Sequence, residues 1–376
     1  MRMTPLQAET FIRSRVKGLD ALAVLPLPDL GDAVVSALSA MREGFIPPSY
    51  RWTGEKTARA YGLKGYGSWA RCVIIAAKFY LTDEDFPRDP AFGRVARFTW
   101  RNNYTYIVRK LSEAAAALED ALGRPLRWKA LSNYTSIPEK ALFRLSGLAD
   151  AGKNGVLTHP AMGSYFTVGE AFCDLDLHGC GAAPRPAPPR FGVCGDCGLC
   201  LRACPTGAIV RSGAVNVNRC FQYMSENLVL VPEGDRERWG SRVYGCSECL
   251  DSCPLNERLE RRGEKHGIGY VGSGFDLLDM LELSQPEWSR RFRDNQIGIR
   301  DRLAVLKNVI LSLGWLEYRK AAAPLVPFLA HAHHVIRASA AWALGRTGTA
   351  EGRLALERLA RSERNADVIE EIERFL

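Results

Sequence analysis

Apolar residues recur at helical spacing in some stretches of the chain and run together in others. In TPLQAETFIRSRV at 4–16, Phe11, Ile12 and Val16 form a stripe behind Thr4 and Pro5, which suit a helix cap and first turn. WARCVIIAAKFY at 69–80 is a short β-branched run, the pattern of a buried strand. YTYIVRKLSEAAAALEDAL at 104–122 has the period of a long amphipathic helix. Residues 141–150 return to a helical pattern that ends near AGKNG, and SYFTVGEAF at 164–172 predicts a second buried strand. Residues 1–180 thus mix helix and strand in one α/β-type domain.

The pattern then breaks. GAAPRPAPPR at 181–190 predicts a stiff, exposed connection. A cysteine-rich segment follows at about 191–256. After about residue 298 the texture becomes helical throughout. The stretches 300–316, 317–332, 334–348 and 351–362 read as successive amphipathic helices with short joints, which stack as solenoid units. AAAPLVPFLA with HVIRASAAWALGRTG resembles a HEAT repeat.

Composition narrows the class. Of 376 residues, 47% are apolar, enough for a sizeable core and more than one domain. Eleven cysteines are too few for a disulfide scaffold of this length. No secretory signal is visible at the N-terminus, and the longest apolar stretches, such as CVIIAAKFYL at 72–81, are too short to span a bilayer. The expected location is the reducing cytoplasm, with no membrane association, where clustered cysteines bind metal more often than they pair. The formal charge of +8 points to an anionic partner.

The cysteines carry the strongest signal. Cys194, Cys197, Cys200 and Cys204-Pro205 follow C-x2-C-x2-C-x3-C-P, the bacterial ferredoxin run. Its short loops wrap three thiolates around one cubane and send the fourth towards another. A second set is present: Cys246, Cys249 and Cys253-Pro254 in YGCSECLDSCPLN, with Cys220 in NRCFQYMSEN as the last ligand. The interleaving predicts that Cys194, Cys197, Cys200 and Cys253 hold one 4Fe–4S cluster, and Cys204, Cys220, Cys246 and Cys249 the other. Zinc ribbons also use C-x2-C pairs, but two Cys-Pro termini and no matching histidine set favour iron–sulfur. Cys72, Cys173 and Cys180 remain as buried free thiols. GIGYVG at 267–272 matches a dinucleotide fingerprint only formally; without a preceding strand it reads as a glycine-rich loop.

These cysteine segments, together with GLADAGKNGVLTHPAMGSYFTVGEAF at 147–172 and the HEAT-like tail, resemble the epoxyqueuosine reductase family from about residue 60 onward. The resemblance implies an α+β chain with three parts. A nitroreductase-like domain at 1–188 binds cobalamin and substrate, as in the related reductive dehalogenases. A ferredoxin-like double-cluster domain occupies 189–257, and a helical HEAT-like tail 258–376. It implies that Lys153, Asn154, Gly163 and Ser164 bind the cofactor. The clusters, fed by an external low-potential donor, reduce the corrinoid. The substrate is the epoxide of a modified base at the tRNA wobble position, converted to queuosine. DLHGCG at 176–181 fits a short cobalt-ligating histidine pattern, but the family leaves cobalt without a protein histidine, so His178 reads as a solvent-facing loop residue.

The chain departs from the family at its expected proton donor. The family's aspartate in a DSAP segment corresponds to Asn133 when SNYTSIPEKAL is aligned on Glu139, and its DYH segment reads Asn103-Tyr104-Thr105. A carboxylic acid delivers a proton; an amide does not. Tyr104 and Asn133 are the catalytic candidates. Three readings stay open: Tyr104 is the acid, no protonation is needed there, or a divergent member acts on another substrate, such as a small molecule or an organohalide. A two-cluster electron carrier is a further alternative. The tail favours a macromolecular substrate, and Arg290, Arg291, Arg293, Arg300 and Arg302 are candidate phosphate contacts or a solvated face balanced by Asp294 and Asp301.

Overall fold

The structure is a computed structural model that describes residues 3–134, 136–178 and 191–376. Two compact units divide the chain, each built from separate segments: residues 1–83, 103–218 and 248–265 in the first, and 84–102, 219–247 and 266–376 in the second. The expected connection at 181–190 and Cys180 lie outside the described residues.

The first unit is organised on a four-stranded sheet. Its strands are β1 (Ala21–Pro26), β2 (Cys72–Phe79), β3 (Trp128–Leu131) and β4 (Phe166–Cys173), in the order β1-β2-β4-β3. Both strands expected from the apolar runs are present, and β2 is buried at all its positions. Every pairing is antiparallel, with Cys72 opposite Cys173 and Phe79 opposite Phe166. Such continuous apolar runs usually mark parallel sheets, so the α/β-type reading gives way to α+β. The runs arise here because both faces of an antiparallel sheet are covered.

One face packs under two helices. Helix α1 (Pro5–Arg15) begins as expected: Thr4 accepts from Gln7 N, Gln7 returns the bond, and Pro5 opens the first turn. Helix α2 (Asn103–Leu122) buries Ile107, Leu111, Ala114, Ala115 and Leu118 along one stripe. Of these, Ile107, Leu111, Ala114 and Leu118 join Ile12, Leu22, Val24, Ile74 and Ala171 in one core, each large aliphatic side chain contributing about 1.5–3 kcal/mol of burial. Gly169 is needed where α2 meets the sheet: a Cβ there would lie 2.5 Å from Ile107 Cγ2 and 2.8 Å from Leu131 O. On the opposite face Phe172 stacks on Tyr66, with ring centroids 4.0 Å apart. The helical pattern at 141–150 is α3 (Glu139–Leu145); it stops earlier than expected, and Asp150–Ala151 instead pairs with Leu157–Thr158. Strand β1 went unforeseen because its apolar run is short and ends in Pro26, Pro28 and loop residues.

The second unit combines a three-stranded sheet of Phe92–Val95, Arg242–Tyr244 and Gly274–Asp276 with the helical tail. Helices α4 (Arg302–Trp315), α5 (His334–Thr347), α6 (Ala350–Ala360) and α7 (Ala366–Glu373) form the expected succession. The stretch 317–332 differs. Pro324 and Pro327 break it into the single turn Ala322–Leu325 flanked by 3-10 turns. Helix α4 is buried almost all round, and its polar residues satisfy backbone carbonyls. Asn308 Nδ2 donates to Ser225 O and Val243 O at 2.7 and 2.8 Å, and Lys307 Nζ to Met224 O and Asn227 O. Arg236 and Glu371 make a buried ion pair. GIGYVG at 267–272 is a loop, as expected.

Candidate iron–sulfur and substrate site

The first cysteine run folds around its glycines and proline. Gly195 takes φ +45, a conformation that L side chains rarely adopt, and lets the chain turn between Cys194 and Cys197. Cys200 lies in the short helix Leu199–Ala203, and Cys204 ends it in an extended conformation, as the following Pro205 requires. Cys253 likewise is extended and precedes Pro254 at the start of Pro254–Glu257. Burial pushes the Cys200 thiol up first, and then the neighbouring Cys194, Cys253 and Cys197 do so. The fold therefore gathers one predicted quartet inside the first unit. Cys204 Sγ accepts from Ala208 N at 3.2 Å, the kind of bond that tunes a cluster thiolate.

Also in the first unit, the helix carrying Cys200 packs on the turn Glu248–Asp251 that carries Cys249. In the second unit Cys220 caps Phe221–Glu226, and Gln222 Oε1 accepts from Cys246 N at 3.1 Å.

The four residues expected at the cofactor lie against the cysteine loops. Lys153 Nζ donates to Gly195 O at 2.5 Å and Cys197 O at 2.9 Å. Asn154 Nδ2 donates to Cys249 O at 3.3 Å, while its Oδ1 accepts from Val156 N. Ser164 N donates to Asn256 Oδ1 at 2.8 Å, and Ser164 Oγ meets Thr158 Oγ1. Gly163 at φ +51 leaves room for Asn256 and Leu259. Around them, Asp150 Oδ2 and Ser252 Oγ are buried without a hydrogen-bond partner among the described residues, while Asp150 Oδ1 pairs with Arg144 Nε at 3.4 Å.

Tyr104, at the start of α2, faces Tyr80, whose hydroxyl is pushed far up by burial and then by Tyr104, Tyr165, Asp251 and Cys249. Tyr165 Oη donates to Asp251. Asn133 lies elsewhere along the chain, on the exposed turn after β3, at φ +56. Ser132 Oγ pins that turn to Val168 O at 2.5 Å, and Glu139 Oε1 accepts from Tyr134 N at 3.2 Å. Glu170, on β4, is buried with Oε1 unpartnered. Sequence reasoning used Glu139 only as an anchor and passed over Glu170; a lone carboxylate inside the apolar run SYFTVGEAF was the available signal.

His178 is exposed, as expected, and its backbone N–H donates to Met3 O. Of the basic set, Arg290, Arg291 and Arg293 are exposed, with Arg291 over the Phe275 ring. Arg300 is paired with Glu226 at 3.0 Å, and Arg302 donates to Leu283 O. Asp301 caps α4. Among the described residues no helix is long and apolar enough to cross a membrane.

These features define an α+β iron–sulfur protein with a HEAT-like helical tail. The family model described as a 4Fe-4S double cluster binding domain matches residues 193–256, and the one described as HEAT repeats matches 300–376. The epoxyqueuosine reductase of Bacillus subtilis is 28% identical over 315 residues, covering 80% of this chain and 78% of the relative. A solved epoxyqueuosine reductase with an epoxyqueuosine-modified tRNA-Tyr stem loop superposes with a TM-score of 0.83 at 24% identity, covering 97% and 96% of the two chains. The B. subtilis enzyme, solved with its catalytic aspartate loop swung out of the active site, gives 0.82 at 24% identity over the same shares. The chain is thus similar to epoxyqueuosine reductases over most of its length.

Proposed function

We propose that this chain reduces epoxyqueuosine to queuosine in tRNA, in the reducing cytoplasm, with electrons entering from an external low-potential donor. The observation that carries this reading is the double-cluster segment set into a chain related to epoxyqueuosine reductases over most of its length. A relative was solved with a modified tRNA stem loop, which supports tRNA as the partner. The functional division follows the sequence: a nitroreductase-like cofactor and substrate part at 1–188, the clusters at 189–257 and the tail at 258–376.

The polar groups of the first unit fit a cobalamin. A corrinoid carries many amides, and Asp150 Oδ2 and Ser252 Oγ are buried atoms with no hydrogen-bond partner among the described residues, Asp150 meeting Arg144 and Ala151 N through its other oxygen. Lys153, Asn154, Gly163 and Ser164 would hold it, chiefly by fixing the backbone they share with the cysteine loops, since their side-chain atoms are engaged there. When bound, the cofactor supplies a strongly reducing cobalt centre. The chain's own work is to position substrate, keep the cluster loops in place and deliver protons. Tyr104 and Asn133 are the residues we place against substrate.

The test is reduction of epoxyqueuosine-modified tRNA by anaerobically reconstituted, cobalamin-loaded protein, followed by nucleoside analysis. Queuosine is the expected product. Reduced clusters and bound corrinoid without queuosine would move the assignment to a corrinoid reductase of another substrate, the reading that Asn133 favours. Clusters that reduce with no corrinoid bound would leave a two-cluster electron carrier.

A further inference from the structure

The departing epoxide oxygen leaves as water, so each turnover consumes two electrons and two protons. No carboxylic acid occurs in KALSNYTSIP at 129–138. The next residue, Glu139, folds back on that turn: its carboxyl accepts from Tyr134 N at 3.2 Å, and the Asn133 N–H also points to it. Glu139 is half-buried, at the edge of the surface that carries exposed Asn133 and Tyr134. Behind it lies Glu170, 2% exposed, on β4 directly opposite Leu131 at the end of β3. Its Oε1 has no hydrogen-bond partner among the described residues. The helix that Glu139 opens packs on β4, so a half-buried carboxyl and a buried one lie within electrostatic reach of each other at the root of the turn on which the amide stands.

We propose that Glu139 and Glu170 form a proton-holding pair that supplies the acid which Asn133 cannot. The inference rests on the epoxyqueuosine reading above. At each C–O cleavage one proton passes from the Glu139 carboxyl to the substrate oxygen. The carboxylate left behind is recharged from solvent, with Glu170 as its buried protonated neighbour. Two such transfers complete the water, and the clusters provide the electron pair.

The surroundings favour protonation. Burial raises Glu139 to about 7, against weaker lowering by the Tyr134 and Asn133 N–H groups and by Lys140. Burial, then Glu139, raises Glu170 well above the usual carboxylate range. The other titratable groups facing the pair are Tyr61 on Glu139 and Tyr66 on Glu170, both shifted upward, so neither carries charge near neutrality. A group of this kind gives its proton readily when its pKa lies near the working pH.

Glu139→Gln keeps an acceptor for the Tyr134 N–H but removes the acid. We expect its queuosine formation to fall by about 100-fold, the lower range for a lost general acid. The wild-type rate should decline above pH 7, and that decline should vanish in the variant. Asn133→Asp added to Glu139→Gln should restore turnover. A second readout needs neither corrinoid nor tRNA: infrared spectra of the protein should show a protonated carboxyl C=O band at pH 6 that weakens in Glu139→Gln and again in Glu170→Gln. Unchanged rate and pH profile in both single variants would overturn the proposal, as would absence of the band. If wild type makes no queuosine, the substrate reading fails separately, and the infrared band alone decides whether the pair holds a proton.

Discussion

Lys153 shows how one residue can serve a cluster without ligating it. Its ammonium bonds the carbonyls of Gly195 and Cys197, the two corners of the first cysteine loop. A cation so close to a cluster stabilises the reduced, more negative state and raises its potential. Lys153→Met should therefore shift the first cluster to a lower potential, by roughly tens of millivolts in a partly solvated site. Redox titration followed by electron paramagnetic resonance reads this shift. An unchanged potential would mean that the lysine only braces the loop. Asn133 is notable for its conformation, with φ +56. Asn tolerates the left-handed φ that this turn requires, so the turn keeps its shape without an acid.

At the scale of elements, the tail depends on close helix approach. Helices α4 and α5 cross where Gly314 faces Trp342 and Ala343; a Cβ on Gly314 would lie 2.6 Å from Trp342 Cζ3 and 2.8 Å from Ala343 Cα. Backbone cannot yield there as a flexible side chain does. Gly314→Ala should destabilise the tail by about 1–3 kcal/mol despite its better helix propensity. A lowered thermal transition with intact cluster absorbance is the expected result; a raised transition would show that the helices can separate freely. The sheet tells a related story. Strands β2 and β4 were legible as strands from β-branched runs, whereas their antiparallel pairing was not, because a residue buried on both faces reads the same in either direction.

For the whole molecule, the expected cysteine partition can be tested ligand by ligand. Anaerobic protein should carry about eight irons. Cys253→Ser should damage the cluster of Cys194, Cys197 and Cys200, and Cys220→Ser that of Cys204, Cys246 and Cys249, each sparing the other in iron analysis and resonance spectra. Stoichiometric zinc with no iron after anaerobic reconstitution would sink the assignment. The cysteines of the first quartet come together from residues 194–200 and 253, which the fold joins within one unit.

The sequence alone carried the double-cluster segment, the helix starts and the tail, because each is written in short-range spacing: C-x2-C loops, Thr4 and Pro5 at a helix start, apolar residues at helical period. It also marked Asn133 as an anomaly. Only the tertiary structure placed Lys153 and Asn154 on the cysteine loops, and Glu170 behind Glu139, since those neighbours lie 31 to 95 residues apart in the chain. Burial decides their chemistry, and burial is a property of the packed sheet: the same glutamates in an open chain would be ordinary ionised carboxylates at neutral pH.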